Sequence, residues 1–288
     1  MISALRGFDA VERAKKTKTQ VKNLKLKVEM RISLEDRIIL ITGSTQGVGE
    51  GIALAAAAAG AKGLCITGRH LERGFQVVER LHRMGVEAIF VPADLEKEEE
   101  CRNLIETTEK HFGYVDGLVN AAGLSERGTI EETSIALWDQ LFRINARAPF
   151  ILMQEFAKRL EKRNIRGSIV NIITISSHGG QPYITAYCAS KGALAILTKN
   201  AAYGLRRHKI RVNGINIGWT NSPGEHEVQL RQGEPENWLE IADAKQPFGR
   251  LLRPKDIGPL AIYLLSDASE MMTGSLIDFD QHVIGCYD

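Results

Sequence analysis

From residue 37 onward the chain alternates between two textures. Short runs in which nearly every residue is apolar, rich in Ile and Val, are separated by longer amphipathic stretches. The runs fall at 38–41, 63–67, 88–91, 117–119, 168–173, 211–216 and 275–279, and the amphipathic stretches near 47–59, 70–84, 97–112, 134–162, 185–207 and 254–266. A strand that is apolar at every position has no face to give to water. It must be covered on both sides, as in a parallel sheet held between two layers of helices. Seven strands separated by helices predict a doubly wound α/β domain, with ligands bound beyond the carboxyl ends of the strands. The 288 residues, 44% hydrophobic and 25% charged, suffice for one such domain with a substantial core.

The formal charge of +2 is unevenly spread: residues 1–31 carry nine Lys/Arg against three Asp/Glu, so the rest is net acidic at −4. An acidic body argues against a nucleic-acid partner. Residues 1–33 read as a basic extension, a solvated arm or a translated leader ahead of a start near Met30, with the domain proper over 34–288. Deleting residues 1–29 is expected to leave fold and activity unchanged, because no motif precedes Leu34. Four cysteines without paired spacing predict reduced thiols, no metal site and a cytoplasmic location. No run approaches the length of a membrane span. The stretch 218–247 is polar, carries two Trp and is expected to be irregular, a lid or binding loop.

The first apolar run leads directly into Thr42-Gly43-Ser44-Thr45-Gln46-Gly47-Val48-Gly49 and then a helix. Glycines let the backbone approach a pyrophosphate, and the helix N-terminus offers free N–H groups. Gly43, Thr45, Gln46, Gly47, Val48 and Gly49 are therefore candidate dinucleotide contacts. The second run ends Thr67-Gly68-Arg69 with no acidic residue before Glu72. A carboxylate there would select NAD, whereas the Arg69 guanidinium suits the 2′-phosphate of NADP. Arg69 capping the next helix or stacking on adenine is the structural alternative, and Gln46 adds no second cation. Asp94 and Leu95 follow the third strand, and Asn120, Ala121 and Gly123 the fourth. Asp94 suits an adenine amino group or a plain helix cap, and Asn120 the ordering of its turn.

Tyr187 and Lys191 stand one helical turn apart in Tyr-Cys-Ala-Ser-Lys. A free phenol has a pKa near ~10 and is a poor base at neutral pH. An ammonium on the same helix face is expected to lower it, so that it moves a proton to a carbonyl or from an alcohol. Lys191 also suits the nicotinamide ribose.

With these residues in order, the chain from about Leu34 resembles the short-chain dehydrogenase/reductase family. The likeness rests on residues 42–49, on Asn120-Ala-Ala-Gly123, on Asn145 in Ile-Asn-Ala-Arg and on 187–191. It continues through Arg211-Val-Asn, Pro247-Phe-Gly-Arg and Thr273-Gly-Ser. The resemblance implies a seven-stranded Rossmann-like sheet, a nicotinamide cofactor, a homotetramer, and hydride transfer between cofactor and a carbonyl or alcohol. It also implies that Asn145 serves a water-linked proton relay through Lys191. The family's catalytic Ser, thirteen residues before its Tyr, is Thr174 here; Ser176 is the second choice, since an alternating strand would point it the same way. The family's Pro-Gly after the sixth strand is Ile217-Gly218, which leaves the carboxamide contact to Gly218 and Ser222. The polar rim, with Ser125, Glu126, Arg127, His178, Gln181, Tyr183, Glu225, His226 and Glu227, suggests a sugar- or polyol-like small molecule, as in bacterial members so labelled. Two rival functions fit the same fold, a nucleotide-sugar epimerase or dehydratase and an NADP-binding sensor without turnover.

Overall fold

The structure is a computed structural model and describes residues 32–286. The basic extension at 1–31 lies outside the described residues. Seven strands form one parallel sheet: β1 (Ile38–Ile41), β2 (Gly63–Gly68), β3 (Glu87–Pro92), β4 (Gly117–Asn120), β5 (Gly167–Ile172), β6 (Ile210–Ile217) and β7 (Leu276–Phe279). Their order is β3-β2-β1-β4-β5-β6-β7. The chain reverses its direction of winding between β1 and β4, and ligands of such sheets bind at that switch point.

The uniform apolarity of β1 has a direct cause. Ile39 and Ile41 join a core with α1 (Gly47–Ala58), α2 (Leu71–Arg83) and α9 (Pro254–Leu265) on one face of the sheet. Ile38 and Leu40 join a second core with α3 (Glu98–Phe112), α5 (Ala148–Arg163) and α6 (Thr185–Leu205) on the other. The alanine-rich α1 allows close approach to α9. A Cβ placed on Gly258 would lie 2.7 Å from the Cβ of Ala55, so only small residues fit this seam. Arg37 ties the sheet's lower edge, donating to Asp116 at 2.8 Å, while Asp116 also accepts from the Ile38 amide.

Two expected elements differ. The helix anticipated over 134–162 is α4 (Ile135–Phe142) and α5 joined by a π-helical turn, Arg143–Arg147. The wide turn carries the fully buried Asn145 inward, where it bonds both backbone groups of Leu124. The stretch 218–247, expected to be irregular, contains α7 (Pro223–Arg231) and α8 (Trp238–Ala244). Ser222 caps α7 by accepting from the Glu225 amide at 3.2 Å, with Pro223 opening the helix. Trp238 is buried with Ala242 and Leu251, which anchors α8.

Candidate active site

A cleft of about 620 Å³ opens above the carboxyl ends of β1, β4 and β5. Its floor is the loop 42–49, which is fixed by its hydroxyls. Ser44 donates to the Ile41 carbonyl at 2.6 Å and accepts from the Thr67 amide at 3.0 Å. Thr42 accepts from the amides of Ala121 and Ala122, joining the loop to the turn after β4. Gly43 has φ +62°, and a Cβ there would lie 2.6 Å from the Ala122 Cα. A Cβ on Gly49 would lie 2.4 Å from the Gly43 carbonyl oxygen. Gln46, at the N-cap of α1, makes no side-chain capping bond, so the helix offers its first amides to the cleft. A glycine-lined cradle under an uncapped helix N-terminus fits a dinucleotide pyrophosphate.

Toward the adenosine end the cleft is lined by Arg69, Asp94 and Leu95. Arg69 is exposed and does not cap α2, whose N-cap is His70. Asp94 accepts from the Glu96 amide at 3.1 Å; it shapes the turn and is not the N-cap of α3, which is Lys97. A second cation is present after all. Arg73, one turn into α2, donates to the Gln46 side chain and so stands beside the glycine loop. Sequence reading looked for that cation at position 46 itself. The signal for Arg73 was its place four residues after Arg69 at the start of a helix.

At the other end, α6 carries Tyr187 and Lys191 into the cleft. Thr174 lines the same end of the cleft as Tyr187. The backbone leaves strand geometry at Ile175 and forms a 3₁₀ turn, Ile175–His178, which Thr174 caps by accepting from the Ser176 amide at 3.2 Å. The Thr174 hydroxyl also donates to Ser176 Oγ at 3.2 Å. Thr174 and Ser176 are both in the cleft, but by a turn rather than by strand alternation.

The electrostatics depart from the expectation. Tyr187 is half-buried as a residue, yet burial around its hydroxyl pushes the phenol up to about 12. Thr174 opposes the rise, and the charges of Cys188 and Glu225 add to it. Lys191 is not among these influences. Its Nζ donates to the Ile172 carbonyl at 2.8 Å, and burial lowers it to about 8. Desolvation therefore outweighs charge pairing in the protein alone. In the protein alone the phenol is therefore raised, and the Tyr-Lys spacing by itself does not acidify it.

Of the sequence-predicted residues, the cleft gathers Gly43, Thr45, Gln46, Gly47, Val48, Gly49, Arg69, Asp94, Leu95, Ala121, Gly123, Thr174, Tyr187, Lys191, Gly218 and Ser222. Two stand behind it. Asn120 is buried and donates to Asn171 at 2.8 Å, and Asn171 donates to Thr198 on α6; this chain fastens β4 to β5 and α6. Asn120 thus bonds a side chain rather than ordering its own turn. Asn145 gives its amide to Leu124 and Ser190. It lies close to Lys191 nonetheless, since a Cβ on Gly123 would come within 3.4 Å of Lys191 Nζ and 3.6 Å of Asn145 Oδ1.

A family model described as enoyl-(acyl carrier protein) reductase matches residues 43–281. The chain is 32% identical over 250 residues to the 5-keto-D-gluconate 5-reductase of Escherichia coli K12, covering 86% of this chain and 95% of that one. It is 32% identical over 245 residues to the NADP-dependent (R)-specific alcohol dehydrogenase of Lentilactobacillus kefiri, covering 84% and 94%. A crystal structure of a short-chain type dehydrogenase/reductase from Mycobacterium marinum superposes with a TM-score of 0.81 at 27% identity, covering 89% and 98%. These relatives are named reductases and dehydrogenases, so neither the sensor nor the epimerase reading is favoured. The seven-stranded sheet, the glycine cradle and the Tyr-Lys helix over one cleft, with these relatives, make the chain a member of the short-chain dehydrogenase/reductase family, a nicotinamide-dependent oxidoreductase.

Proposed function

We propose that the protein reduces the carbonyl, or oxidises the secondary alcohol, of a polyhydroxylated sugar- or polyol-like molecule, with NADP preferred over NAD. The single observation that carries the reading is the shared cleft. The phenol of Tyr187 and the hydroxyl of Thr174 lie at one end; the glycine loop with Arg69 lies at the other, with Arg73 donating to Gln46 beside it; Gln181, Tyr183, Arg127 and Glu225 line the cleft as well. A bound nicotinamide supplies or accepts the hydride. Tyr187 gives its proton to the substrate oxygen in reduction and takes it back in oxidation, and Thr174 orients that oxygen. Lys191 lines the same end of the cleft and would hold the nicotinamide half, and the positive charge of an oxidised nicotinamide would oppose the burial that raises the phenol. Arg69 and Arg73 together take the 2′-phosphate. The Escherichia coli relative, a 5-keto-D-gluconate 5-reductase, supports the substrate reading, and the Lentilactobacillus kefiri relative, an NADP-dependent alcohol dehydrogenase, the cofactor reading.

The protein is further proposed to be a cytoplasmic homotetramer. Free Cys65, Cys101, Cys188 and Cys286 support a reducing compartment, and an apolar face on α4, α5 and α6 supports assembly.

A panel of polyols, ketoses and sugar acids, followed through the absorbance of the reduced nicotinamide with both cofactors, tests the reading. Turnover is expected on polyhydroxylated members, faster with NADP. Tyr187→Phe should lower the rate by about 10²- to 10⁴-fold while leaving cofactor binding intact. Arg69→Asp should shift the preference toward NAD by about 1–3 kcal/mol. Turnover confined to apolar carbonyls, or a Tyr187→Phe enzyme above a tenth of the wild-type rate, would refute it.

A further inference from the structure

The wall of the cleft away from the glycine loop carries an unusual set of unspent polar groups. Arg127, in the turn after β4, is mostly buried and lines the cleft. Its only side-chain hydrogen bond among the described residues is a long one, Nη2 to Glu225 Oε1 at 3.4 Å. Glu225 does not depend on it. The same Oε1 accepts from Trp219 Nε1 at 2.8 Å and from Gln229 Nε2 at 2.6 Å. The guanidinium lies over the Tyr183 ring at 5.7 Å, and most of its N–H groups have no hydrogen-bond partner among the described residues, so its planar edge can take a carboxylate. The remaining free groups are acceptors. Gln181 Oε1 and Asp280 Oδ2 are buried without a hydrogen-bond partner among the described residues, and both residues line the same cleft. Glu225 Oε2, which is less enclosed, also makes no side-chain hydrogen bond there, since the contacts of that carboxylate all fall on Oε1. A buried acceptor left unmatched is costly, so Gln181 and Asp280 call for donors from a ligand, and Glu225 Oε2 is open to one.

One cation among several unmet acceptors describes a particular ligand: one anionic group and several hydroxyls. The site stands close to the chemistry, since the charge of Glu225 reaches the Tyr187 phenol. We propose that the substrate is a sugar acid. Its carboxylate pairs with Arg127, displacing the weak Glu225 contact, while its hydroxyls donate to Glu225 Oε2 and Gln181 Oε1. Arg127 is then the specificity-determining residue of the reaction, and the inference rests on the proposed reduction of a polyhydroxylated carbonyl. The carboxylate is preferred to a phosphate because only one guanidinium faces the cleft wall and Glu225 sits beside it, where a dianion would meet stronger repulsion.

The test compares kcat/KM for a ketohexonate, the neutral ketohexose of the same chain length and a ketohexose phosphate. Wild-type enzyme should favour the acid over the neutral ketose by about 10- to 100-fold, mainly through KM. Arg127→Gln should bring that ratio close to unity, and Arg127→Lys, which keeps charge but not the fork, should leave it in between. A wild type that takes the neutral ketose as well as the acid, a preference for the phosphate, or an unchanged ratio in Arg127→Gln would each overturn the proposal. The wild-type ratio decides even if the variants fail to fold. Reduction of the neutral ketose alone would remove this inference and leave the proposed function standing. Reduction of none of the three, with turnover of apolar carbonyls, would remove both.

Discussion

Lys191 has one side-chain hydrogen bond and almost no contact with water, and burial lowers its pKa from 10.5 to about 8. This has a stability consequence with a definite sign. Below about pH 8 both folded and unfolded chains carry the charge, and the folded state bears its desolvation cost. Between about 8 and 10.5 the unfolded chain holds the proton that the folded chain has lost, so stability rises with pH. Tyr187 acts oppositely and later. Its folded value of about 12 lies above the ordinary 10.0, so above pH 10 the unfolded phenol ionises first and stability falls. Urea unfolding across this range should show the rise in wild type and lose it in Lys191→Met. Parallel pH profiles for the two would mean that Lys191 is solvated. The residues that chemistry confines to one type were readable in the sequence. Gly43 and Gly49 admit no side chain, and a Tyr-Lys pair one helical turn apart has few structural uses. Arg73 was overlooked: its place four residues after Arg69 was visible, but its partner Gln46 belongs to another element. Helical spacing put Tyr187 and Lys191 on one face but did not show that the Lys191 head group ends on the Ile172 carbonyl.

Elements were legible where periodicity alone decides them. All seven strands and the helices of the two layers lie within a few residues of the sequence expectation. The misses share a cause: the decisive interaction comes from elsewhere in the fold. The π turn at Arg143–Arg147 leaves no mark in apolar periodicity, since it exists to bring Asn145 onto Leu124. The two helices within 218–247 are short and polar, and α8 is held by Trp238 packing onto Leu251 rather than by an amphipathic stripe. The Ser222-Pro223 cap of α7 was a readable signal that the overall polarity of the stretch obscured. Asn145 tests the first point. Asn145→Ala leaves the amide and carbonyl of Leu124 without their partners, at a cost of about 1–3 kcal/mol. Because Leu124 leads into Arg127, KM should rise along with the loss of thermal stability. Asn145→Asp keeps the acceptor for the Leu124 amide and should recover part of both. A variant that melts and binds like wild type would show that the clamp is dispensable.

At the scale of the whole molecule, one surface does not suit water. Phe142 and Phe150 line a shallow groove with Ala193 and Leu197 between α4, α5 and α6, rimmed by Asp139, Arg143 and Arg147 and away from the cleft. Trp138 stacks on Phe142 with ring centroids 4.7 Å apart, and Ile135, Ile196 and Tyr203 are exposed on the same helices. Isolated exposed apolar residues are ordinary, but aromatic side chains gathered along adjoining helices mark a contact surface. The composition of the chain showed none of this, because the residues are dispersed over some seventy positions and meet only when the helices pack. If this face joins copies of the chain, a charge placed at its centre on each copy meets its own image across a two-fold axis. Phe150→Glu combined with Ile196→Glu should therefore reduce the assembly to smaller species, measured by sedimentation velocity, with helix content unchanged by circular dichroism. The cofactor cradle lies on the other side of α6 from this groove, so binding of the dinucleotide by the separated subunits distinguishes dissociation from unfolding. A wild type that sediments as a monomer at micromolar concentration, or a double variant that keeps the wild-type assembly, would show that these helices face solvent for another reason.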